Sequence, residues 1–340
     1  MGARFRGARS HAETMPAERT LRNSITDVSG VEVAHLTVAE GDVQTGVTVV
    51  MPCPPSVRHR KFSLGAYAAG GGLSWTGVEV AEDFGTFASP IVLCNATSVG
   101  AAYDALITRG HKRDPELPVD DGWPPIVVGI DDGYLNDLRR RRVKHDDVLA
   151  ACEAARGEPP ACGSVGMGRG LVALGCKGGV GDASSAASVG KDAFVVGVLL
   201  AANGGAPRGV GAARVVSPGF VAIVATDAAL FPAELRLLGE AAIRGIDAAV
   251  TIGGEEGRLA LAFSVTNTID GSLTAPPGRL YEARRLADDG LGPLFDAAAR
   301  ASRAALGKAL GDAAVVTGRK GRTVEKAPAD VVASIAFTGR

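Results

Sequence analysis

Hydrophobic and polar positions along the chain follow two periods. Val31–Val38 reads VEVAHLTV, with apolar side chains at every second position, the mark of a half-buried strand. Further strands are expected at Gly46–Met51, Ile91–Cys94, Ile126–Ile130, Leu171–Cys176, Ala193–Ala201, Phe220–Ala225 and Leu259–Val265. The later ones are continuously apolar, as strands covered on both faces should be. Helical spacing predicts Val99–Arg109, Tyr134–Arg142, Asp147–Arg156, Pro232–Ala248 and Leu294–Leu310. In the last of these, Phe295, Ala299, Ser302, Leu306 and Leu310 recur at helical spacing, and Pro293 stands at the first turn, where proline is tolerated. Strands alternating with helices predict an α/β protein whose sheets carry helices on both sides. Turn-forming residues mark Gly110–Trp123, Ala202–Pro218 and Asp270–Gly278 as exposed connections.

Composition narrows the class. The 340 residues form one expected domain, 21–340, behind a loose basic arm at 1–20 that has no apolar segment of a secretory signal. Met15 offers a second start. Lys plus Arg (36) nearly equals Asp plus Glu (37), which argues against polyanion binding as the main business. The longest apolar run, Ala193–Ala202, suits a buried strand and is too short for a membrane span. Cys53, Cys94, Cys152, Cys162 and Cys176 contain no C-x-x-C pair, so reduced thiols in a cytoplasmic protein are expected. The 46 glycines, set against 5% aromatic residues, predict tight turns and close backbone approaches.

Routine motifs are missing. His11, His35, His59, His111 and His145 share no metal-ligand spacing, so no metal or cofactor is expected. No G-x-S-x-G elbow occurs. The glycines of Gly163–Gly170 precede a strand instead of following one, and Lys177 stands before its glycines, opposite to a P-loop. Polar residues at strand ends are more informative. Lys177 follows Leu171–Cys176, Asn203 follows Ala193–Ala201, and Tyr134 lies in IDDGYLND. Converging on a pocket, Asn203 and Lys177 would stabilise an oxyanion and Tyr134 would position a leaving group. The alternative is three turn or surface residues.

Several ordered motifs go further: Asn23–His35 (NSITDVSGVEVAH), Thr45–Val50 (TGVTVV), Thr97–Gly100 (TSVG), Asp132–Asp137 (DGYLND), Gly168–Gly181, Val196–Asn203 (VGVLLAAN) and Ala225–Leu230 (ATDAAL). Together they resemble the DmpA-like family of self-processing aminopeptidases, which includes β-aminopeptidases and nylon-oligomer amide hydrolases, from about Asn23 to Ala309. The resemblance implies a four-layer α/β/β/α sandwich of the DmpA/ornithine-acetyltransferase-like kind, built into homo-oligomers. It also implies a chain that cuts itself once, before the strand carrying Ala-Thr-Asp, with residues 202–218 as the linker at the cut. The freed Ser or Thr is both nucleophile and bearer of an α-amine.

Carried over residue by residue, Asn203 matches the family's oxyanion asparagine, Tyr134 its substrate-pocket tyrosine, and Lys177 the lysine of the amide-hydrolase members. The place of the nucleophile, however, reads Gly219. Glu256 and Arg258 stand where a small hydroxyl residue and a carboxylate are expected, and Asp131 stands near the place of the acid that grips a free amine. Arg258 reverses the local charge and would favour an acidic ligand. Two readings follow. Either the chain is an uncut, diverged member keeping a small-molecule pocket, or Ser217, two residues upstream of Gly219 and so facing the same way, serves as the nucleophile. The expected partner is a small-molecule or peptide-like ligand, with neither nucleic acid nor membrane. Gly70-Gly71-Gly72 marks close backbone packing or an anion nest.

Overall fold

The computed structural model describes residues 20–52, 60–115, 124–207, 219–253, 255–269, 278 and 280–337. Residues 1–19, Ser217, Cys53, His59 and most of the three expected connections lie outside them. The chain opens with β1 (Glu32–Glu40), β2 (Val43–Met51), β3 (Lys61–Ala69), β4 (Ser74–Thr76), α1 (Val78–Phe84), β5 (Thr86–Phe87) and β6 (Ile91–Asn95). There follow α2 (Val99–Arg113), β7 (Ile126–Ile130), α3 (His145–Ala154), β8 (Val172–Ala173), β9 (Cys176–Lys177), β10 (Gly179–Val189) and β11 (Asp192–Ala202). The last part holds β12 (Ala206–Pro207), β13 (Gly219–Thr226), α4 (Pro232–Ala249), β14 (Val250–Thr251) and β15 (Gly257–Ile269). It ends in α5 (Leu291–Gly311), β16 (Val316–Gly318), β17 (Arg322–Val324) and α6 (Ala329–Phe337).

Two sheets carry the fold, one in the order β1-β2-β6-β7-β4 and the other in the order β10-β11-β13-β15-β3-β5. Pairs β6–β7 and β13–β15 are parallel, and the remaining ladders within these sheets are antiparallel. The alternation of side chains sorts β13 onto two cores. Val221, Ile223 and Ala225 meet Leu93, Val128 and Ile130 between the sheets. Phe220, Ala222 and Val224 face the other way, against Leu238 and Ile246 of α4 and Leu306 and Leu310 of α5. Beyond the smaller sheet, Val47, Val49 and Val92 pack on Ala105 and Leu106 of α2 and Val148 of α3. The result is the expected α/β/β/α sandwich.

Glycines set how closely the layers approach. A Cβ on Gly181 would stand 1.8 Å from the Ala305 carbonyl oxygen of α5, and one on Gly65 would stand 2.3 Å from backbone atoms at the start of α4. The Gly163–Gly170 stretch serves the same end, because a Cβ on Gly46 of β2 would meet the Gly166 oxygen at 2.4 Å.

Two expectations are corrected. Tyr134–Arg142 is no helix but a series of turns ending in a single 3-10 turn, Leu138–Arg140. Asp137 draws off the Arg139 N–H through its side chain, and Arg141 takes a left-handed backbone (φ 44), so helical bonds cannot propagate. Leu171–Cys176 is not one strand. Leu174 (φ 55) and Gly175 (φ 73) turn the chain back on itself, and β8 pairs with β9 as a minimal hairpin. No helix among the described residues is long and apolar enough to cross a membrane.

Candidate functional site

The end of β11 and the start of β13 are tied together, because Gly219 N–H donates to the Asn203 carbonyl at 2.9 Å. The Asn203 side chain is buried. Its Oδ1 accepts from Val172 N–H at 3.1 Å and its Nδ2 donates to the Asp131 carbonyl at 3.0 Å. This one amide therefore joins the β11 end, the β8–β9 hairpin and the turn after β7.

Lys177 is fully buried, and its Nζ donates to the carbonyls of Gly168 (2.8 Å), Leu171 (2.7 Å) and Gly178 (2.9 Å). Three acceptors match the three N–H donors of an ammonium. Burial, and then the neighbouring charge of Arg169, pull its pKa down to about 7, with Asp132 opposing. In this conformation Lys177 locks the hairpin to the 3-10 turn at Gly166–Gly170.

The Asp131–Tyr134 turn closes one side. Asp131 Oδ1 accepts from Gly133 N–H at 2.7 Å. Asp132 is buried, with Oδ1 held by Asn136 Nδ2 at 2.9 Å and Oδ2 turned toward no well-aligned donor among the described residues. Burial pushes its pKa up to about 7 against the pull of Thr45 and Asn136. Tyr134 is 38% exposed, and the Arg322 guanidinium lies 4.6 Å from its ring centroid.

Gly219, at the head of β13, shares the facing of Val221 and so looks between the sheets. The point where its Cβ would sit is 2.4 Å from Leu73 Cδ2, and the same Leu73 covers Gly257 opposite, at 2.9 Å to Cγ. Leu73 is held there by the glycine run before it. Gly71 N–H donates to the Glu255 carbonyl, and a Cβ on Gly70 would strike the Glu256 oxygen at 2.2 Å, so the run serves close packing. Glu256 reaches back to the site, where its Oε2 accepts from Gly205 N–H at 3.1 Å. Arg258 does not join the others. It lies on the outer face of β15, its Nη1 is 3.4 Å from Asp247 of α4, and it lines a cavity of about 390 Å³ with Thr251 and Ile252.

The structure thus gathers Asn203, Lys177, Asp131, Glu256 and Gly219 around one strand end, sets Tyr134 a few residues beyond Asp131 against Arg322, and leaves Arg258 behind the sheet. Sequence reasoning did not single out Asp132 or Leu73. Asp132 opens the DGYLND motif but was given no role there, and Leu73 carried no signal. Among the described residues no cluster of His, Cys, Asp and Glu could hold a metal ion.

Two helix-covered sheets with a polar cluster at the end of a central strand define the Ntn-hydrolase-like class of fold. The chain belongs to Peptidase family S58, whose model matches residues 23–324. Beta-peptidyl aminopeptidase BapA of Sphingosinicella xenopeptidilytica is 30% identical, in a match covering 98% of this chain and 92% of that protein. The solved beta-aminopeptidase of Burkholderia sp. is 30% identical with a TM-score of 0.84, covering 94% of each chain. The L-aminopeptidase D-Ala-esterase/amidase of Ochrobactrum anthropi is 27% identical with a TM-score of 0.83, covering 92% of this chain and 93% of that one.

Proposed function

We propose that this chain is a member of the aminopeptidase family that stays uncut and has given up the covalent acyl step. It keeps a site for a small-molecule or peptide-like ligand beside Tyr134. The observation that carries this reading is the head of β13, where Gly219 offers no hydroxyl and Leu73 fills the space a nucleophile's side chain would need. Without an oxygen at that point there is no attack on a carbonyl and no acyl shift to cut the chain. The surroundings agree with it. One N–H of the Asn203 side-chain amide is taken by the Asp131 carbonyl, and the Lys177 ammonium is enclosed by three carbonyls. Arg258, at the expected place of a carboxylate, pairs with Asp247 on the far face of the sheet.

Intact-protein mass spectrometry on fresh protein, beside a Ser217→Ala variant, tests the reading. One species near 34.5 kDa from both is expected. Two fragments divided between Val216 and Ser217, absent from the variant, would overturn it and establish Ser217 as an N-terminal nucleophile.

A further inference from the structure

The chain is close to neutral overall, yet its cations are unevenly placed. The β16–β17 hairpin turns through Arg319-Lys320-Gly321-Arg322, and this turn is docked on the Tyr134 loop. Arg319 N–H donates to the Leu135 carbonyl at 2.7 Å, Arg319 Nη1 to the Gly133 carbonyl at 2.8 Å, and Arg322 Nη1 to the Tyr134 carbonyl at 3.0 Å. Two neighbouring carbonyls therefore hold two guanidiniums beside one half-exposed phenol. Only one N–H of each fork is used by these bonds, and a guanidinium carries five.

The same loop runs on into Arg139, Arg140 and Arg141, because Leu138 folds back against Gly133. Arg139 and Arg140 share Asp137. Arg141, Arg319, Lys320 and Arg322 have no ion-pair partner among the described residues. Behind this rim Arg169 is half-buried, bonded through Nε to Gln44 and, among the described residues, to no carboxylate, and Lys177 lies deeper. Nearby carboxylates include Asp131, engaged by Gly133 N–H, the buried Asp132, and the exposed Glu325, whose backbone carbonyl accepts from Lys177 N–H.

We propose that this rim, formed by Arg319, Lys320 and Arg322 around Tyr134, binds the carboxylates of an acidic peptide. Guanidinium forks fixed in advance suit planar carboxylates, and ordering them beforehand lowers the entropy cost of each new bond. A peptide fits better than a nucleic acid, because the described rim carries one exposed aromatic ring and no series of stacking platforms. The proposal rests on the retained ligand site beside Tyr134, but not on whether the chain is cut.

Fluorescence anisotropy with a dye-labelled oligoglutamate peptide, its oligoglutamine counterpart and an oligothymidylate tests it at about 50 and about 300 mM salt. The glutamate peptide should bind roughly tenfold or more tighter than the glutamine peptide and weaken at the higher salt. Lys320→Glu, an exposed change that touches no described contact, should weaken it by roughly tenfold. Arg322→Lys should fall between, keeping the charge but losing the fork, while Arg244→Glu on α4 should bind as the parent does. Equal binding of the two peptides, no binding, indifference to Lys320→Glu, or tighter binding of the oligonucleotide would overturn the proposal. Intact mass on the same preparation reports cutting separately, so failure here and failure of the uncut reading are told apart.

Discussion

At the scale of the residue, the site turns on which of two neighbouring acids is buried. Asp131 and Asp132 are adjacent acids of the same chemistry, but the turn sends only Asp132 into the interior, where Gly170 packs on its carboxylate. Its pKa rises from 3.8 to about 7 on folding, chiefly by desolvation. The unfolded chain therefore loses this proton first as pH rises, and the folded state is progressively disfavoured between those two values. An Asp132→Asn variant should accordingly gain stability relative to the parent chain from about pH 4 to about pH 7, with the gain levelling off above. Urea unfolding at pH values across that window measures it, and a difference that stays constant with pH would refute the assignment. Asn203, Lys177 and Tyr134 were legible because polar residues at strand ends stand out in apolar surroundings. Leu73 was not, because it lies in the connection between β3 and β4 and meets Gly219 from far away in the chain.

At the scale of the element, the long apolar strands and amphipathic helices were readable from period alone, and β7 matches its expected span to the residue. β10 was missed. Its first residues, Gly179-Val-Gly-Asp-Ala-Ser-Ser185, have the composition of a loop. The physical reason is α5, whose backbone lies so close that Gly179 and Gly181 cannot carry side chains. Strand propensity gave way to interlayer distance. Gly181→Ala should thus cost about 3 kcal/mol or more, since the Ala305 carbonyl belongs to a helix that can yield only as a whole. Chemical denaturation checks it, and a loss below about 1 kcal/mol would show that α5 can slide. β3 was missed likewise, although Phe62, Leu64 and Ala66 alternate onto the core between the sheets. The Tyr134–Arg142 error has the opposite origin, because Asp137 competes for the Arg139 N–H through its own side chain and Arg141 takes a left-handed backbone.

At the scale of the whole molecule, layer order was legible through resemblance more than through pattern. Continuous apolar runs say that a strand is covered on both faces, not what covers each. Here one face of the larger sheet meets a second sheet and the other meets α4 and α5, and β13 lies within it. Its neighbours have different origins in the chain. On one side β11 precedes the linker, on the other β15 follows it, and beyond β15 comes β3 from the first quarter of the sequence. The two parts of the chain are dovetailed, each gripping the other through hydrogen-bonded edges on both flanks. A nick before β13, by whatever agent, would leave the particle in one piece. Gel filtration under native conditions should return the same elution volume for nicked and intact protein, and a shift would show that the joint can be pulled apart. Separately expressed halves, the second beginning at Gly219, have a ready template for finding each other.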